Sequence, residues 1–77
     1  MIELYYTVQV ILEWLGDGTA EPDYKHLTVY YIEDNKPKQL FETSFAIEEN
    51  AVNEINLYIE LNDLPEIGDK TYTLTQL

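Results

Sequence analysis

The chain opens on a nearly faultless alternation. Ile2, Leu4, Tyr6, Val8, Val10, Leu12 and Trp14 share one face of an extended segment, and Glu3, Tyr5, Thr7, Gln9, Ile11, Glu13 and Leu15 share the other. Successive side chains of a strand point to opposite faces, so this pattern predicts a half-buried strand. A strand this long exceeds the usual range and predicts a bend or bulge near its middle. Gly16, Gly18 and Pro22 then predict a loop over 16–24, because glycine tolerates positive φ and proline interrupts a ladder. A run rich in β-branched and aromatic residues predicts a second strand from His26 to Ile32. Asp34-Asn35 before Pro37 marks a turn over 33–38, and a third strand follows from Gln39 to Phe45.

Residues 46–61 admit two readings. A helix would gather Ile47, Ala51, Val52, Ile55, Tyr58 and Ile59 on one side. It would also leave Leu57 and Leu61 facing water and place Asn50, Asn53 and Asn56 where asparagine is a poor helix former. The strand reading alternates Ile55, Leu57, Ile59 and Leu61 with Asn56, Tyr58 and Glu60, and is preferred, with a turn at Glu48 to Asn50 and a strand from about Val52 to Leu61. A loop over 62–69 and a last strand over 71–77 complete the chain. The expected fold is an all-β antiparallel sandwich of five to seven strands, a single domain over 1–77. The alternative is an α+β domain with a helix at about 47–61.

Charge narrows the partners. There are 15 acidic residues against 4 lysines, no arginine, and a net charge of −11. Phosphate neutralisation supplies most non-specific nucleic-acid affinity, and arginine is the usual bidentate reader of guanine, so direct DNA or RNA binding is excluded. An anionic membrane surface is disfavoured for the same reason, and no apolar run is long enough for a membrane helix. With no cysteine, disulfides and thiolate chemistry are excluded. The opening residues lack the basic start of a signal peptide, so an exported role implies a piece of a longer protein.

With the strands laid out, the chain resembles the Cna protein B-type domain, the small prealbumin-like β-sandwich of Gram-positive adhesins and pilins. The features that carry the resemblance are Val10-Ile11-Leu12-Glu13-Trp14 as a first strand ending in Trp and the Gly16-Asp17-Gly18 loop leading to Pro22. Leu27-Thr28-Val29-Tyr30-Tyr31, the Asp34-Asn35 turn, Leu64-Pro65 ahead of Gly68, and the closing Tyr72-Thr73-Leu74-Thr75-Gln76 follow in order. Many members carry an internal isopeptide bond between a first-strand lysine and a last-strand Asn or Asp. Here the first strand has no lysine and no Asn or Asp follows Asp69. The resemblance therefore implies a relative held by packing alone, serving as a structural, spacer or binding module of a bacterial surface protein.

No catalytic constellation emerges. His26 has no second nitrogen or sulfur ligand, and Ser44 has no histidine at a known triad spacing. Asp17, Gly18, Glu21 and Asp23 do not match the spacing of a calcium loop. Glu48 and Glu49 are adjacent on a turn and read as solvated. The chain is read as non-enzymatic, without metal or cofactor. Seven tyrosines are too many for the core of so short a chain. Tyr5, Tyr30 and Tyr58 are the candidates for a partner-binding face, since tyrosine joins a large contact area to a polar tip. An exposed edge strand could also support self-association. A cytoplasmic, free-standing acidic interaction protein is the alternative to the surface module. Examples are a phage-encoded inhibitor mimicking nucleic acid, or a small virion component.

Overall fold

The opening alternation becomes β1 (Ile2–Trp14) in the computed structural model, which describes residues 1–77. Gly16, Asp17 and Gly18 turn the chain into β2 (Ala20–Glu33). The Leu15 N–H donates to the Thr19 carbonyl at 2.8 Å, and Gly18 adopts φ +88°. β2 begins well before the expected His26 and runs through Pro22, which was expected to interrupt it. Pro22 lies directly opposite Leu12, where its missing N–H would point away from β1. No third strand flanks β2 there, so nothing is lost. The irregularity expected in the first strand falls between Ile11 and Leu12, with the extra residue, Asp23, carried by β2.

Asp34 and Asn35, at φ +53° and +62°, form the two-residue hairpin turn that leads to β3 (Lys36–Ala46). Both central residues have positive φ, as the turn that matches strand twist requires. β3 then chains through Asn50 into α1 (Ala51–Leu61), and a loop leads to β4 (Tyr72–Gln76). The four strands make one sheet in the order β3-β2-β1-β4, antiparallel except for the parallel pair β1–β4.

The chain is thus mostly β, as expected, but it holds four strands in one sheet rather than five to seven in a sandwich. The second layer is α1, so the strand expected over 52–61 is corrected to a helix. Of the three asparagines that argued against a helix, Asn50 caps it, Asn53 lies in its first turn and Asn56 anchors it. Asn50 is the N-cap, its Oδ1 accepting from the N–H groups of Val52 (2.8 Å) and Asn53 (3.2 Å). Asn62 closes the other end, donating Nδ2–H to the Tyr58 carbonyl at 2.8 Å. Asn56 accepts from the Tyr72 hydroxyl at 2.5 Å and so ties α1 to β4.

Ile55 and Ile59 of α1 are fully buried against Leu4, Leu27 and Val29 of the sheet, joined by Tyr6, Phe41 and Phe45. Ile67, from the loop before β4, closes the cluster. No charged or polar residue is buried. The helix spans only the half of the sheet near Leu4 and Phe41. Beyond it the β1–β2 hairpin projects uncovered, in a molecule 49 Å long and 26 Å wide.

Candidate protein-binding face

One side of the sheet lies under α1, and the other is bare. Register assigns each residue to its side. Leu4, Tyr6 and Val8 face α1, so Glu3, Tyr5, Thr7, Gln9 and Ile11 face outward, with their β2 partners Tyr30, Thr28, His26 and Tyr24. Tyr5 and Tyr30 are direct cross-strand neighbours. With Ile32, Pro37 and Leu77 they line an apolar groove of about 260 Å³. Two of the three expected partner-binding tyrosines therefore meet in one place. The third does not. Tyr58 stacks on Phe41 within the sheet–helix interface, ring centroids 3.9 Å apart at an interplanar angle of 11°. The strand reading of residues 52–61 put it outside, and the helix turns it in.

A carboxylate, Glu3, stands beside the groove. Tyr5 donates its hydroxyl to Glu3 Oε2 at 3.0 Å, and this bond to an anion, reinforced by the Glu3 charge, raises the phenol above its ordinary value. Register sends Lys25 and Lys38 to the α1 side, opposite Val10 and Tyr31. Lys25 is occupied there, donating to the Glu49 carbonyl at 3.4 Å with its ammonium 5.7 Å from the Phe45 ring centre. Lys70 donates to the Glu60 carbonyl. No carboxylate pairs with a lysine, and Glu42 Oε2 lies 3.2 Å from His26 Nε2. The acidic surplus is not spent on internal salt bridges.

His26 has a second neighbour. Its Nδ1 lies 3.4 Å from Ser44 Oγ, which places Ser44, His26 and Glu42 in one hydrogen-bonded row. The sequence signal for this row is the hairpin register, but the extra residue Leu40 shifts the pairing by one between Val29 and Tyr30. Without that bulge His26 would sit opposite Thr43. The row lies on an open sheet surface outside both of the molecule's hollows. It is a cross-strand polar cluster.

The other hollow is an open cleft of about 320 Å³ lined by Asn56, Ile59, Glu60, Lys70 and Tyr72, between α1 and β4. Its polar groups are tied to one another: Tyr72 to Asn56, and Lys70 to the Glu60 backbone. Desolvation, with the Glu60 charge behind it, raises the Tyr72 phenol. At the β1–β2 turn, Asp17 Oδ1 accepts from both the N–H (3.0 Å) and the hydroxyl (2.6 Å) of Thr19. Those bonds hold the Asp17 carboxyl below its ordinary value. Asp17 thus braces a turn, and no group of three histidine or carboxylate side chains converges as a metal site would require.

Comparison with protein-family models, with curated proteins and with solved structures finds no match to this chain.

Proposed function

We propose that the protein is a non-enzymatic protein-binding module, and that the bare sheet face engages a partner through the Tyr5–Tyr30 groove. The observation that carries this reading is an apolar, aromatic-lined groove on an uncovered face that bears Glu3 and Glu42 and no lysine. Interfaces concentrate aromatic area at their centre and polar groups at the rim. The occupant is a protein surface that presents an apolar anchor ringed by Lys and Arg. Its charge complements a chain of net charge −11 and steers the encounter at low salt. The groove offers no convergent polar groups for chemistry, which favours binding over catalysis. The resemblance to bacterial surface domains suggests a setting within a longer surface protein, and fractionation of native cells with antiserum tests that setting.

The binding experiment is selection from a random peptide display library, with competition by excess soluble protein. Enrichment of peptides that combine an aromatic anchor with Lys or Arg, eluted by salt and lost on the Tyr5→Ser/Tyr30→Ser variant, supports the reading. Absence of enrichment, or equal capture by a variant of unchanged circular dichroism, removes it.

A further inference from the structure

β1 carries a second unused surface, its edge beyond β4. The Ile2 N–H donates to the Thr71 carbonyl, and the Tyr6 carbonyl accepts from the Leu77 N–H. Even-numbered residues of β1 therefore turn their backbone groups toward β4. β4 pairs only with Ile2 to Tyr6, so the backbone groups of Val8, Val10 and Leu12 on that edge have no strand partner.

Proteins blunt exposed edges with charge, proline, bulges or shortness. The other edges here are blunted in those ways. The free end of β2 carries Pro22 and the bulge at Asp23. β3 carries Lys36, Pro37, Lys38 and the bulge at Leu40. β4 is only 5 residues long. From Val8 to Leu12, β1 has no charge, proline or bulge of its own. The α1 side of this stretch is uncovered, with Val10 and Leu12 each 47% exposed and Trp14 74% exposed; the one cation there, Lys25 across from Val10, is held at the Glu49 carbonyl and the Phe45 ring. Ala20 and Pro22 flank them. On the opposite side, Glu13 lies directly across from Glu21. Like charges so placed are destabilising, and no cation neutralises the pair.

From these features we infer that the Val8–Trp14 edge accepts an added strand from a basic partner protein, an extended segment with apolar residues at every second position and Lys or Arg between. Its backbone completes the ladder of Val8, Val10 and Leu12. Its apolar side chains lie beside Val10, Leu12 and Trp14, and its cations fall on the Glu13–Glu21 side. Charge selects this occupant over a second copy of the chain, which would bring another net charge of −11 against the same carboxylates.

The probe is a peptide of alternating lysine and valine long enough to span Val8–Trp14, compared with one of the same composition arranged in two blocks. Trp14 is the only tryptophan, so its emission reports directly on the site. The alternating peptide is expected to shift that emission to the blue and to slow amide exchange at Val8, Val10 and Leu12 by at least about tenfold. Val10→Pro removes an N–H that faces the free edge and not the β2 ladder, and should weaken binding by about tenfold, equivalent to about 1.4 kcal/mol. Leu12→Lys, which adds charge to the same edge without touching backbone φ, should do the same and serves if the proline disturbs the fold. Equal effects from the block peptide, unaltered binding by both variants, or peptide-independent protection accompanied by a sedimenting dimer would each overturn the inference. The Tyr5→Ser/Tyr30→Ser variant should bind the alternating peptide normally, which separates this site from the groove.

Discussion

The two ends of the β1–β2 hairpin obey the same alternation and meet different fates. Near Leu4 and Val29 the inward residues are sealed under Ile55 and Ile59. Near Leu12 and Trp14 the same face of the same strand is open to water. Binary pattern sets which side of a strand is apolar. Whether that side is buried depends on where the second layer lies, and α1 is too short to reach the hairpin tip. The difference separates apolar residues that hold the fold from apolar residues available to a partner.

The comparison breaks most sharply under large-to-small substitution. Leu27→Ala or Ile55→Ala should cost about 2–5 kcal/mol, enough to unfold much of a domain this small, measured by urea titration. Asn50→Ala removes the helix cap and should cost about 1 kcal/mol, which tests whether α1 depends on its cap as well as on its buried face. Leu12→Ser and Trp14→Ser should each fall within about 0.5 kcal/mol of the parent. A loss as large as that of Leu27→Ala would mean that the tip is part of the core after all. Native-state amide exchange should follow the same order, slowest at Leu27 and Val29 and faster along the tip.

The smallest effect is a titration. The Thr19 bonds lower the Asp17 carboxyl in the folded chain, so their contribution is present above the ordinary aspartate value. It is lost as pH falls through the lowered folded value. Carboxyl chemical shifts should show Asp17 titrating below ordinary aspartate, and Thr19→Val should return it toward that value.

Much of the sheet was legible in the residues. The alternation of β1 and the Asp34-Asn35 turn each carry a local cause that tertiary structure leaves in place. The helix was less so. Leu57 and Leu61 face water there, as the helix reading required, and the Asn50 cap and the buried Ile55–Ile59 face accompany the helix despite its poor interior residues. The early half of β2 was hidden by Pro22, which a ladder tolerates only where no neighbour needs its N–H. At the candidate face, tyrosine content singled out Tyr5 and Tyr30, but their adjacency depends on the register between β1 and β2. The grouping of His26 with Ser44 and Glu42 depends on a bulge at Leu40 that no local pattern announces. Tyr58 was misplaced because the side it faces follows from helix geometry.

The parallel pairing of β1 with β4 has a consequence in time. During synthesis β1 emerges before the rest of the sheet, yet its neighbour on that edge is the last of the four strands to follow. Until Tyr72–Gln76 arrives, the unpaired edge runs the full length of β1, from Ile2 to Trp14, and joins the sheet's only parallel contact to its greatest sequence separation. Such non-local closure is slow, and an unpaired edge is vulnerable to other chains while it waits. Aggregation of the nascent chain should therefore be governed by how quickly the C-terminal strand docks, more than by the stability of the finished fold.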